Sequence, residues 1–170
     1  MSSNITIPAK PRQILHVGER RAFNEDGGYL TPNVWQTRHV GNIFTNLMQG
    51  ASISNNLVIL PAGSYLVTGR SFHRREATVN CRLFDKTANR VLVEGQHAYN
   101  KNSTAGGTGT SCNSTNFLHG YFEITQTTSV AWQTYTVNHP GRPTSSNAID
   151  YGQRSHIDFS LYTNLLFEKV

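Results

Sequence analysis

The sequence predicts an all-β fold, and three observations carry the prediction. Hydrophobic residues make up 37% of the chain and charged residues only 15%, with Ser, Thr, Asn and Gly abundant, a balance that builds short strands and turns rather than charge-laced helices. Segments of β-branched and aromatic residues recur along the chain, each closed off by Gly, Pro, Asn or Asp. Within them side chains alternate: Leu118, Gly120, Phe122 and Ile124 share one face, and Phe117, His119, Tyr121 and Glu123 the other, the period of a half-buried strand. At 170 residues the chain suits one self-supporting core, expected over residues 14–170 behind a short arm, residues 1–13.

The arm holds Pro8 and Pro11 around a small Ile5-Thr6-Ile7 patch, and proline removes backbone donors that regular structure needs. An extended arm is the consequence. Ile5 and Ile7 are its candidate attachment residues, because such a segment adds a short strand to a neighbouring sheet edge and seats its side chains in pockets. Strands are expected over residues 13–22, 34–44, 57–60, 64–73, 78–84, 90–98, 116–125, 129–137 and 156–168, about nine in all. Leu60-Pro61-Ala62-Gly63 and the polar run 85–89 are expected as hairpin-type turns. Two longer loops, 99–115 and 138–155, are rich in Gly, Ser, Thr and Asn and are where a loop would meet a partner.

The last segment is apolar on both sides. Ile157, Phe159, Leu161, Leu165 and Phe167 fall on one face, with Tyr162 and Leu166 on the other, so a strand here is covered once by its own sandwich and once by another subunit. Leu161, Tyr162 and Leu166 are therefore the candidate subunit-interface residues. A helix over 161–167 is the competing reading, set against missing caps and aromatic content.

Several function classes find no anchor. The net charge is +5, but Lys and Arg are scattered, dense only around Glu19-Arg20-Arg21 and residues 70–75, whereas a nucleic-acid surface gathers basic residues and interleaves aromatics. No nucleic-acid partner is expected. Cys81 and Cys112 are too few for a disulfide framework or zinc site, and Cys81 reads as a small core residue. The seven histidines show no metal-ligand spacing, the run Ala105-Gly106-Gly107-Thr108-Gly109-Thr110 lacks the Lys and helix of a phosphate cradle, and no nucleophile elbow or paired carboxylates stand out. No metal, cofactor or catalytic residue is expected. Asn4, Asn102 and Asn113 open Asn-x-Ser/Thr triplets, but residues 1–10 lack a signal peptide's basic start and apolar run, and nothing approaches the ~20 apolar residues of a membrane span. Synthesis in a cytoplasm without membrane insertion is expected. Tyr99, Trp132, Tyr135 and Tyr151 are the aromatics placed to stack on sugar rings; Trp132 shares a strand face with Val130 and reads as core, leaving Tyr99, Tyr135 and Tyr151 as candidate glycan or receptor contacts.

One stretch carries a family likeness. Ile59-Leu60-Pro61-Ala62-Gly63-Ser64-Tyr65, Cys81-Arg82-Leu83-Phe84-Asp85, residues 91–95 and Gly120-Tyr121-Phe122, with Leu15-His16-Val17, Gly27-Gly28, Trp35, Thr37-Arg38 and residues 161–168, resemble a module of bacteriophage tail-fibre C-terminal domains and other virion proteins. The Leu-Pro-Ala-Gly-x-Tyr start is also similar to the wider class of tumour-necrosis-factor and complement globular heads. The resemblance covers most of the chain behind the arm and implies a jelly-roll sandwich that associates as a homotrimer about a three-fold axis. It departs from the tail-fibre pattern in length, since only thirteen residues precede the module. The implied role is a structural protein of a phage virion, made in the host bacterial cytoplasm and displayed as capsid decoration, head fibre or tail-fibre tip. Its implied partners are itself and other virion proteins; the rival reading is a module that binds a host-surface glycan through the long loops.

Overall fold

The computed structural model describes residues 11–22, 30–74, 78–99, 113–136 and 159–170. Its strands, twelve among the described residues, are β1 (Gln13–Ala22), β2 (Gln36–Thr37), β3 (Asn42–Asn46), β4 (Ser52–Ser54), β5 (Leu57–Leu60), β6 (Gly63–Arg74), β7 (Thr78–Asp85), β8 (Arg90–Glu94), β9 (Ala98–Tyr99), β10 (Asn113–Ile124), β11 (Thr128–Thr136) and β12 (Phe159–Lys169). They form two wholly antiparallel sheets, one ordered β10-β6-β12-β1-β3 and one ordered β4-β5-β11-β7-β8, with β2 beside β11 and β9 beside β7. This is the expected all-β jelly-roll sandwich, and residues 161–167 are strand, not helix.

Alternation places the core. Leu15, Val17, Tyr65, Val67, Leu118, Phe122, Ile124, Leu165 and Phe167 of the five-stranded sheet meet Val58, Leu60, Cys81, Leu83, Val130 and Trp132 of the other. Each fully buried aliphatic or aromatic side chain contributes about 1.5–3 kcal/mol. Tyr65 stacks on Phe122 at 5.3 Å between ring centroids, and Phe122 meets Phe167 edge-on at 6.5 Å. Trp132 spans the layers to Gly69, where a Cβ would lie 2.4 Å from the indole and 2.5 Å from Leu165, so the absence of a side chain at 69 is what lets the sheets close there.

Four local expectations are corrected. Leu60-Pro61-Ala62-Gly63 is not a hairpin, because β5 and β6 lie in different sheets and the turn carries the chain between layers. The single strand expected over 34–44 is two: β2 pairs with β11 and β3 with β1, since Arg38 between them turns into the sandwich and a chain changing layers cannot keep one ladder. The segment 90–98 breaks at Gly95, where a Cβ would sit 2.2 Å from Cys81 Sγ. There Gly95 N donates to Cys81 O (2.9 Å) and Gln96 N to Phe117 O (2.7 Å), joining the two sheets along an edge that would otherwise be open. An unexpected strand, β4, pairs with β5 through Asn55 and Asn56, both at positive φ (49° and 63°), the backbone of a two-residue hairpin. The turn at 85–89 is as expected: Asp85 pairs with Arg90, and its Oδ1 accepts from Thr87 N and Ala88 N at 2.8 Å.

Candidate association face and the polar end of the sandwich

The outer face of the five-stranded sheet is set by register. One row across it runs Tyr121, Leu66, Glu168, Ile14; the next His119, Thr68, Leu166, His16; the third Phe117, Arg70, Asn164, Gly18. Phe44 of β3 joins it by packing on the His16 ring at 4.8 Å. Phe117 and Tyr121 stay 51% and 52% exposed, Leu166 41%, Leu66 40% and Phe44 37%. Five of the ten exposed large hydrophobics of the described residues thus lie on one sheet face, a contiguity that marks an interaction surface rather than scattered exposure. Most of its polar groups are held by neighbours: His16 Nε2 and Asn164 Oδ1 lie 2.6 Å apart, His119 Nδ1 and Thr68 Oγ1 3.0 Å, Arg12 pairs with Glu168 at 3.1 Å, and Tyr121 OH donates to Glu123, while the exposed Arg70 in the third row has its guanidinium 5.5 Å from the Phe72 ring.

Of the sequence-derived interface residues, Leu166 lies on this face, between Thr68 and His16. Leu161 is half-buried near the start of β12, and Tyr162 is 3% exposed within the chain. The cause is a β-bulge: β1 pairs Glu19 with Thr163 but Arg20 with Leu161, and the extra residue turns Tyr162 out of the alternation. Tyr135 is half-buried with its ring 5.3 Å from that of Trp35, and Tyr99 ends β9. Trp132 is core. Ile5, Ile7, Tyr151 and nearly all of the two long loops lie outside the described residues. Sequence reading put Phe117 and Tyr121 opposite the core face without drawing the consequence; two aromatics on the outer side of one strand were the available signal.

Toward Ala22, Arg74, Asn113, Thr136 and Phe159 the interior turns polar, with Glu19, Arg38, Ser71, His73, Asn116, Thr134, Thr136 and Thr163 all buried. Glu19 continues the inward phase of Leu15 and Val17. Its carboxylate pairs with Arg38 at 3.3 Å and with Arg21 at 2.9 Å. Arg38 also donates from Nε to Thr163 Oγ1 (3.1 Å), from Nη1 to Phe72 O (3.3 Å) and from Nη2 to Tyr162 O (3.3 Å). Nearby, His73 Nε2 lies 2.9 Å from Ser71 Oγ. Burial, and then the Arg38 charge, hold the His73 imidazole well below the usual histidine range. The unfolded chain takes up a proton near pH 6.5 that the folded chain refuses, so stability is unaffected above that pH and falls as the pH drops below it. Urea unfolding between pH 7.5 and 5 should show His73→Asn losing stability less steeply than the parent, by up to about 1.4 kcal/mol per pH unit. Equal slopes would mean that the imidazole titrates normally.

Among the described residues no group of three or more His, Cys, Asp or Glu could hold a metal ion. Two crystal structures of murine APRIL, at pH 8.0 and pH 8.5, are similar to this chain: each has a TM-score of 0.54, with 11% and 12% sequence identity, and covers 94% of this chain and 100% of its own. At such identity the likeness shows the fold, a tumour-necrosis-factor-like jelly roll, the wider class that the Leu-Pro-Ala-Gly-x-Tyr start implied. No protein-family model and no curated protein matches the chain.

Proposed function

We propose that this chain is a non-enzymatic structural protein of a bacteriophage virion, a jelly roll that associates as a homotrimer and is displayed on the particle surface as capsid decoration, head fibre or tail-fibre tip. The observation that carries the self-association is the exposed apolar face of the five-stranded sheet, with Phe117, Tyr121, Leu66, Leu166 and Phe44 in adjoining positions. A second copy covers the apolar part of such a face without stranding its histidines and carboxylates, which already have partners within the sheet, and leaves Arg70 as the charge that it must meet or leave in solvent. The three-fold arrangement is the one that the resemblance implies, and a closed ring of like subunits leaves no interface uncovered. The virion assignment is supported by the sequence resemblance quoted above, and places the chain on the particle after synthesis in the host cytoplasm. Light scattering of the purified protein at micromolar concentration should give a trimer, and an antibody raised against it should label the surface of purified particles. A stable monomer would remove the association reading, and unlabelled particles the virion reading.

A further inference from the structure

We propose that the outer face of the seven-stranded sheet carries a binding site for the carboxylate of an acidic saccharide, built on Arg82 between Trp35 and Phe84. Arg82 projects from β7 with its guanidinium 3.9 Å from the centroid of the Trp35 ring and 4.5 Å from that of Phe84. Its Nε donates to Gln133 Oε1 of the adjacent β11 at 2.8 Å. Two ring faces and one hydrogen bond fix the plane of the group, and among the described residues no hydrogen bond engages Nη1 or Nη2. The side chain is only partly buried. A planar fork held in one orientation, with its terminal N–H groups open, matches a carboxylate in two parallel hydrogen bonds. The rotamer freedom such a bond normally removes has already been lost to the stack, which favours binding.

The surroundings select the rest of the ligand. Tyr135 lies 5.3 Å from Trp35 with the rings tilted by 41°, so flat apolar surface adjoins the fork on the side away from Phe84, where the C–H face of a pyranose packs. Lys86 stands over Phe84 at 5.7 Å and adds a second positive charge along the same line. Glu94, opposite Arg82 on β8, acts on its charge without forming an ion pair with it. One fork, one further cation and a nearby carboxylate fit a ligand with widely spaced negative charges; a phosphate backbone calls for a longer basic track. The site is on the sheet opposite the proposed association face, so it stands independently of that reading.

The protein reports on this site by itself. Its two tryptophans are Trp35 and Trp132, and Trp132 is fully buried, so a ligand that touches the surface changes the emission of Trp35. Full-length protein is titrated with hexagalacturonate, oligosialic acid, the neutral methyl ester of hexagalacturonate, and a short oligothymidylate, following tryptophan emission. At least one acidic saccharide should give a saturable change, with the neutral ester about tenfold or more weaker, and Arg82→Lys, which keeps the charge and loses the fork, should weaken acidic binding by about tenfold. Calorimetry on Phe84→Ala, which leaves the reporter in place but unseats the guanidinium, should show the same direction of change. No saturable response to either acidic saccharide, equal binding of the neutral ester, tighter binding of the oligothymidylate, or unchanged affinity in a folded Arg82→Lys protein would each overturn the proposal.

Discussion

Replacing Arg38 with Met is expected to lower the free energy of unfolding by about 3–5 kcal/mol, the usual cost of stripping one partner from a buried ion pair. Arg38 and Glu19 are both fully buried, and the substitution leaves the Glu19 carboxylate with only the Arg21 contact on the solvent side. It also removes donors from Thr163 Oγ1 and from the carbonyls of Phe72 and Tyr162. For a chain of this length the loss corresponds to a fall in melting temperature of roughly 6–20 °C, measured at fixed protein concentration because association shifts the midpoint. The double replacement Arg38→Met with Glu19→Leu should recover much of the loss, since a buried pair exchanged for apolar groups of similar volume is close to neutral. If the double variant is no more stable than Arg38→Met alone, the cost lies in the orphaned carbonyls, and the ion pair contributes little.

That pair also shows where sequence reading stops. The strands over 13–22 and 57–60 could be located to the residue, because alternation and turn chemistry agree in these segments. Glu19 was open to the same treatment: it is in phase with Leu15 and Val17, and a carboxylate in phase with core residues implies a buried cation. Nothing local identifies that cation as Arg38, nineteen positions away and in a segment whose own alternation reads as a continuous strand. The Asn55-Asn56 hairpin was recoverable, since consecutive asparagines tolerate two positive φ values, but the three-residue β4 is too short to show a period. The β-bulge at Tyr162 and the Arg82 stack depend on register between distant strands, which composition and spacing do not encode. The same holds for the association face. Leu166 was visible as the second apolar side of the last strand, whereas the row joining it to Thr68, His119 and His16 exists only once β6, β10 and β1 are paired beside it.

Leu166 therefore offers the sharpest test of that face. Leu166→Asp should leave the subunit folded, because the side chain is 41% exposed and an aspartate there can be hydrated in the separated chain. In the proposed trimer the same carboxylate would be pressed into an apolar contact in every copy, at a cost on the order of several kcal/mol if it finds no partner. An association constant lowered by that amount falls by a factor of 100 or so at least, enough to turn a micromolar trimer into a monomer. Leu66→Asp, one row away on β6, should act in the same direction. Val34→Asp serves as the control, because Val34 is more exposed, at 50%, and lies just before β2, which pairs in the other sheet. Light scattering should find the two face variants monomeric and the control unchanged from the parent, with circular dichroism showing strand content retained in all three. A Leu166→Asp protein that stays trimeric would move the interface off the five-stranded sheet, and a control that also dissociates would show that surface charge alone, not this face, decides the assembly.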